Sequence, residues 1–370
     1  MIIGVLKEIK TEENRVAMTP AGVEVLKQNR HQVLVEKNAG AGSGFDDRAY
    51  AASGAEIVKT AREIYERAEM VMHVKEPLPE EYALIREDQI IFTYLHLAAM
   101  KKLTTALIKS RSIDIAYETI QKADGSLPLL MPMSEVAGRM SILKGAQYLE
   151  IACGGTGVLL GGVPGVEPAT VLVLGGGIVG TNAAKMACGL GAKVYLMDAS
   201  LPRLHYLSDI MPPNCFLVAS SPENIRRLIR EADVVIGSVL IAGTKAPRLV
   251  TRDMLKTMKK GTVMVDVAID QGGCFETSRP TTHANPVYTI DGVIHYCVTN
   301  MPGAVAKTST LALTNATLPY ALDIANKGWK QAMRENAEIK KGANIIKGKV
   351  VHRGVAEAFG LPLVPVDSLL

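Results

Sequence analysis

The chain of 370 residues predicts an α/β protein with two doubly wound domains, parallel sheets and a cleft between them. Three observations carry that prediction. Short apolar runs alternate with helical patterns, as strands joined by crossover helices do. The length suits two units at roughly 100–200 residues per domain. A glycine-rich turn near the middle, Val171-Leu-Val-Leu-Gly-Gly-Gly-Ile-Val-Gly180, stands between a buried strand and a helical stretch.

Before residue 130, strands are expected at Ile2 to Leu6, Gln32 to Val35, Met70 to Val74, Ile90 to Leu95 and Ile113 to Tyr117. Helices fall between several of them, at Pro20 to Gln28 after the cap Thr19 and at Lys59 to Arg67. A helix follows from about Ser134 to Glu150, with Ile142, Gly145, Ala146 and Leu149 on one face. Gly154 to Gly165 then leads into the strand Val171 to Leu174. Further strands are expected at Phe216 to Ala219, Asp233 to Ser238, Thr262 to Val267 and Val293 to Val298. After Pro302 the pattern turns helical, best at Leu311 to Ala325, in a segment too short for a third domain. It is expected to return to the first, so the domains read as 1–130 plus 305–370, and 131–304.

Composition narrows the classes. With 48% hydrophobic and 21% charged residues the chain reads as soluble and globular, and a net charge of +4 without a basic run gives no sign of nucleic acid. No stretch of eighteen apolar residues and no secretion-signal layout occurs, so a cytoplasmic protein away from the membrane is expected. Cys153, Cys188, Cys215, Cys274 and Cys297 are scattered without a C-x-x-C, which suits free thiols and no metal site.

The central turn has the parts that hold a dinucleotide, which makes its domain Rossmann-like. Gly175, Gly177 and Gly180 have G-x-G-x-x-G spacing. The first allows the tight turn, the second a close approach of backbone to a pyrophosphate, and the third close helix–strand packing. The following helix offers free N–H groups and a positive dipole. Asp198 closes the next strand, Val-Tyr-Leu-Met-Asp, where its carboxylate would accept an adenosine ribose and repel a 2′-phosphate. NAD is therefore expected rather than NADP. An ordinary glycine-rich βαβ turn is the bland alternative.

Open parallel sheets bind ligands beyond the carboxyl ends of their strands. Arg15, Lys75 and His96 stand at such ends in the first domain, and Asp270 in the second. Arginine and lysine can hold a carboxylate, lysine can polarise a carbonyl, and an imidazole can give or take a proton at neutral pH. That set suits oxidation of a 2-amino or 2-hydroxy acid. Taken singly, each has a structural explanation: a solvated charge, a helix cap, a turn ahead of Gly272-Gly273. His73 is expected inside a strand, with a packed or supporting role. His31, His205, His283, His295 and His352 read as partly exposed polar residues.

These residues carry a resemblance. Ile3-Gly-Val-Leu-Lys-Glu-Ile-Lys-Thr-Glu-Glu-Asn-Arg-Val-Ala-Met-Thr-Pro-Ala-Gly-Val23 resembles the N-terminal signature shared by alanine dehydrogenases and nicotinamide nucleotide transhydrogenases. Further similarity lies in Tyr94-Leu-His-Leu-Ala, Gly157-Val-Leu-Leu-Gly-Gly-Val-Pro-Gly, the run from Gly175 to Ala187, and Val265-Asp-Val-Ala-Ile-Asp-Gln-Gly-Gly. The resemblance implies oxidative deamination of L-alanine to pyruvate and ammonium with NAD, in a homohexamer. It implies that Arg15 and Lys75 hold substrate and that His96 and Asp270 are catalytic. For the cofactor it implies Ser134, Gly175, Gly177, Ile178, Val179, Gly180, Asp198, Arg203, Ser220, Val239 and Leu240. It adds Val267, Ala268, Ile269, Asp270, Arg279, Val298, Thr299, Asn300 and Met301. Two departures occur: Leu6 stands where proline is usual, and Met100-Lys101 interrupts the polar turn after Tyr94-Leu-His-Leu-Ala.

Three other readings fit parts of the sequence. The soluble part of a transhydrogenase would belong beside a membrane domain, a saccharopine dehydrogenase would need room for a larger substrate, and an NAD-binding regulator would not need Arg15, Lys75 and His96 on one rim. The joint presence of His96 and Asp270 favours a stand-alone dehydrogenase.

Overall fold

A computed structural model describes residues 1–239 and 246–370. The chain forms two compact units, Met1–Met133 with Gly303–Leu370, and Ser134–Pro302.

The first unit opens with β1 (Ile2–Val5), α1 (Pro20–Gln28), β2 (Gln32–Glu36), α2 (Asp47–Ala52), β3 (Glu56–Val58), α3 (Ala61–Arg67) and β4 (Met70–Met72). It continues through β5 (Ile90–Thr93), α4 (Lys101–Ser110) and β6 (Ile113–Ala116). Local chemistry sets the helix starts. Thr19 Oγ1 accepts the N–H of Gly22 at 3.2 Å and Pro20 supplies a preset φ, as expected for α1. Asp46 and Thr60 cap α2 and α3 in the same way. Strands β4, β5 and β6 are buried at every residue, the pattern of a sheet covered on both faces. Each fully buried Val, Leu or Ile there contributes about 1.5–3 kcal/mol.

The second unit contains most of α5 (Met131–Tyr148), then β7 (Thr170–Leu174), α6 (Ile178–Gly189), β8 (Lys193–Asp198), α7 (Leu201–Ile210) and β9 (Cys215–Ala219). There follow α8 (Pro222–Leu228), β10 (Val234–Gly237), α9 (Arg252–Leu255), β11 (Val263–Asp266), β12 (Val287–Ile290) and β13 (Val293–Tyr296). Gly145 lets α5 lie directly on β10: a Cβ there would stand 2.7 Å from Val234 Cγ1. Ile142 and Leu149, on the face read from sequence, are fully buried.

The chain then returns to the first unit with α10 (Ala306–Glu335), α11 (Ala337–Gly342), β14 (Ala343–Ile346), β15 (Lys349–Val350) and α12 (Arg353–Phe359). Thr310 Oγ1 accepts the N–H of Val16 at 3.1 Å, and Asn326 Oδ1 lies 2.8 Å from His31 Nε2. Helix α10 runs well past the expected Leu311 to Ala325. It contains Pro319 and breaks at Gly328, whose φ of 74° a β-carbon would disfavour.

Among the described residues, the sheet orders are β15-β14-β6-β5-β4-β1-β2-β3 and β12-β13-β11-β10-β7-β8-β9. The parallel part of each reads third-second-first-fourth-fifth-sixth in its own order of strands, so each doubly wound sheet reverses direction once, at β1/β4 and at β7/β10. The expectation of parallel sheets needs one correction. β14 pairs antiparallel with β6 and with β15, and β12 with β13. Two-residue turns make these edge hairpins. Asp291 and Gly292 have φ 52° and 83°, and Lys347 and Gly348 have φ 50° and 78°, the left-handed pairs that match strand twist.

Candidate active site

In the first unit, the residues picked from sequence stand on neighbouring strand ends around the β1/β4 reversal. Arg15 follows β1, Lys75 follows β4 and His96 follows β5. Strands β4, β5 and β6 end one or two residues before sequence predicts, and at β4 and β5 carboxylates explain why. The N–H groups of Val74 and Lys75 leave the ladder for Glu8 Oε1, at 2.6 and 3.2 Å. Those of Leu95 and His96 turn to Glu118, at 3.2 and 2.6 Å from Oε1. His73 is thereby corrected to a position just past β4.

Arg15 is 3% exposed and forms a buried fork with Glu13. Its Nε donates to Oε1 at 2.7 Å, Nη2 donates to Oε2, and Nη1 lies 3.1 Å from Met133 Sδ. Burial works against this charge, but the bond to Glu13 holds the guanidinium protonated. Lys75 is the more adaptable cation. Burial, and then Arg15, push its ammonium below the usual lysine range. Two cations sharing a partly desolvated space favour an anion between them. His96 is exposed, stacks parallel to Tyr94 with ring centres 5.9 Å apart, and adopts φ 51°. Its Nδ1 lies 3.9 Å from Glu118 Oε1. A cationic pair and an accessible imidazole on neighbouring strand ends are groups that can bind a carboxylate and move a proton.

In the second unit, most of the residues sequence assigns to a nucleotide fall along the carboxyl ends of β7, β8, β9, β10, β11 and β13, while Ser134, Arg203 and Arg279 do not. Gly175 has φ 103°, and a Cβ there would meet Val239 Cγ2 at 2.8 Å. A Cβ on Gly180 would stand 1.7 Å from the Gly175 carbonyl oxygen, so the turn closes over its helix only with glycine. At Gly177 a Cβ would meet nothing within 4 Å, which leaves the start of α6, with Ile178 and Val179 in its first turn, open to a ligand. Asp198 Oδ2 accepts the Gly176 N–H and Oδ1 accepts that of Ser200, both at 2.8 Å. Arg203 Nε donates to the Gly176 carbonyl at 2.7 Å and Nη2 to Thr181 Oγ1 at 3.1 Å. From the other side Ser238 Oγ donates to the carbonyls of Leu174 and Gly175, at 2.8 and 3.0 Å.

Ser220 follows β9, its N–H donating to the Asp198 carbonyl at 2.9 Å. Ser134 lies near the start of α5. Val239 follows β10, and Leu240 lies outside the described residues. Val267, Ala268, Ile269 and Asp270 make the turn after β11, with Asp270 exposed at its tip. Asp266 organises this turn. It accepts the N–H groups of Ala268, Cys274 and Phe275 at 3.1, 2.8 and 3.4 Å and the hydroxyl of Ser278. Burial pushes its carboxyl up to about 6. Val298, Thr299, Asn300 and Met301 follow β13, with Asn300 at φ 59°. Arg279 lies over the Tyr288 ring at 4.2 Å, and that ring stacks on His295 at 5.0 Å.

His295 and His31 are buried rather than partly exposed. The first bonds Thr277 and the Val293 carbonyl, and the second lies between Asn326 and the N-terminal amine. Sequence reading missed Glu8, Glu13, Glu118, Ser238 and Asp266. Glu13, two residues before Arg15, and Asp266, whose partners lie in the turn that follows it, had local signals; Glu8, Glu118 and Ser238 meet partners 22 to 67 residues away in sequence.

The descriptions "Alanine dehydrogenase/PNT, N-terminal domain" and "Alanine dehydrogenase/PNT, C-terminal domain" match residues 4–137 and 141–353. The chain belongs to the alanine dehydrogenase/PNT family. It is 58% identical to the alanine dehydrogenase of Methanococcus maripaludis and 53% to that of Halomonas elongata, covering 100% of both chains in each case. A solved L-alanine dehydrogenase superposes with a TM-score of 0.94 at 49% identity, over 97% of this chain and 99% of that one. A transhydrogenase from Sinorhizobium meliloti shares the fold, with a TM-score of 0.82 at 24% identity, over 95% of this chain and 99% of that one. In this alanine dehydrogenase/PNT chain, Leu6 is fully buried and Met100 and Lys101 lie at the start of α4.

Proposed function

We propose that the protein is an NAD-dependent L-alanine dehydrogenase, interconverting L-alanine with pyruvate and ammonium. The carrying observation is that Arg15, Lys75 and His96 stand on strand ends around one sheet reversal in a chain of this family. The glycine turn fits a dinucleotide: it admits no β-carbon at Gly180 and leaves Gly177 open. Ser134, Gly175, Ile178, Val179, Asp198, Arg203, Ser220, Val239, Val267–Met301 positions named above and the turn at Asp270 supply its contacts. When bound, NAD supplies the hydride acceptor for the substrate Cα–H.

The residues of the chain do the rest. Arg15 and Lys75 orient the alanine carboxylate, so that the Cα hydrogen is presented in one direction. Loss of hydride leaves a substrate iminium, which water must attack. His96 takes a proton from that water and returns one as ammonia departs. Asp270 orients the water or ammonia. Residues 1–130 with 305–370 form the substrate domain and 131–304 the NAD domain. The working form is a homohexamer in the cytoplasm; among the described residues no helix is long and apolar enough to cross a membrane.

Steady-state turnover with small L-amino acids and their 2-oxo acids, each with NAD and NADP, tests the reading. Alanine and pyruvate with NAD should lead. No turnover of either by the intact protein would overturn it, and light scattering of the same sample reads the hexamer.

A further inference from the structure

Beside the end of β4 a buried histidine lies between two buried carboxylates. His73 is 1% exposed, with Nδ1 3.3 Å from Glu8 Oε1 and Nε2 3.1 Å from Glu81 Oε1. Tyr65 Oη lies 3.2 Å from the same Nε2 and donates to Glu81 Oε1 at 3.3 Å. A neutral imidazole has one N–H; acceptors against both nitrogens call for the imidazolium. Burial works against that charge, but Glu81 and Glu8 outweigh it and lift the imidazole to about 10.

Each carboxylate also holds backbone. Glu8 Oε1 takes the N–H groups of Val74 and Lys75, at 2.6 and 3.2 Å, and Glu81 Oε2 takes that of Leu78 at 2.8 Å. One cation therefore ties down both carboxylates that set the path of residues 74–78, and Lys75 is among them. Without the cation, two buried carboxylates would face each other uncompensated, and one or both would shift or take up a proton.

We propose that His73 is a positioning residue for substrate binding: its imidazolium locks Glu8 and Glu81, and through them fixes the backbone from which Lys75 reaches the substrate carboxylate. This rests on the reading of Lys75 as a substrate-binding group. His73 touches no reacting atom. Its effect is on where the ammonium sits, so it belongs in the affinity for alanine and pyruvate and not in the affinity for the nucleotide.

The experiment is a double-mutant cycle on the full-length enzyme with His73→Gln, Lys75→Ala and the pair. Lys75→Ala should raise KM for alanine strongly. His73→Gln should raise KM for alanine and pyruvate about tenfold, with a smaller fall in kcat, because small misplacements of a positioning group are costly. NADH affinity, read by nucleotide fluorescence, should stay unchanged. Added to Lys75→Ala, His73→Gln should raise KM no further. Glu8→Gln keeps an acceptor for the two amides, removes the charge, and should give the same pattern at lower amplitude; it carries the cycle if His73→Gln does not fold. A KM rise that persists undiminished in the Lys75→Ala background, or an unchanged KM in the single variant, overturns the role of His73 alone. A Lys75→Ala enzyme with ordinary KM overturns the reading of Lys75 and this proposal with it.

Discussion

Glu118 Oε1 accepts the backbone N–H of His96 at 2.6 Å and lies 3.9 Å from the Nδ1 of the same residue. One carboxylate from the end of β6 thus fixes both the unusual turn at the end of β5 and the side of the imidazole that faces the protein. The ring itself is exposed.

That arrangement suits proton transfer. His96→Ala should lower turnover of alanine by roughly two to four orders of magnitude, the usual worth of a general acid–base group. NADH affinity should stay nearly intact, because every nucleotide residue named above belongs to the other unit. Stopped-flow turnover beside fluorescence titration checks both halves. Near-normal deamination at neutral pH would remove His96 from the chemistry.

The proposed role of Asp198 in cofactor choice rests on its charge and on its place in the turn. Its oxygens hold the N–H groups of Gly176 and Ser200 at 2.8 Å, so it shapes the glycine turn. Asp198→Ser should improve kcat/KM with NADP by about tenfold relative to NAD, since like charge no longer opposes a 2′-phosphate. It should also cost about 1–3 kcal/mol of stability from the Gly176 donor left without its acceptor. Equal use of NAD and NADP by the parent enzyme would mean that Asp198 does not meet the ribose.

Gly180 is the tightest contact in the turn. Gly180→Ala places a methyl 1.7 Å from the Gly175 carbonyl oxygen, so backbone must move. The expected cost is about 1–3 kcal/mol from overpacking, with NADH binding weakened far more than the melting temperature suggests. Calorimetry and nucleotide titration on one preparation make the comparison; wild-type NADH affinity would show that the turn does not cradle the nucleotide.

The buried His73 predicts a pH signature in stability. Its folded-state value, about 10, lies above the ordinary 6.5 of the unfolded chain, so the native state holds the proton more tightly. The contribution is complete below about 6.5 and is lost as pH rises through about 10. Glu8, Glu81 and Tyr65 contact the ring, and Glu36 acts on it from β2. Urea unfolding of the parent and of His73→Gln should therefore show a stability difference that shrinks between these two pH values. A constant difference would mean that His73 carries no buried charge.

Much of the frame was legible in sequence because it rests on local rules. Pro20–Gln28 with its cap Thr19 was read residue for residue, and the strand of the glycine turn within one residue. What escaped depends on partners far along the chain. The strand ends after β4 and β5 were read too long because Glu8 and Glu118, distant in sequence, take over the amides. The antiparallel edges were missed although Asp291-Gly292 is itself a hairpin signal, because alternation of strands and helices had already suggested parallel pairing throughout. His295 and His31 were misread because a polar residue's burial is set by tertiary neighbours. The cationic and acidic candidates were visible singly, but the carboxylates that hold them were not.

The closing strands of the first unit have a consequence for synthesis. Strand β6 waits for β14, and Val16 waits for Thr310, until the whole of the second unit has left the ribosome. During that interval the β6 edge is a free template for other chains, a hazard that grows with waiting time. The second unit is contiguous in sequence. Nascent chains stalled before Ala306 should then resist protease across 134–302 while 1–133 is still cut, so the part of the chain born first is the part that matures last.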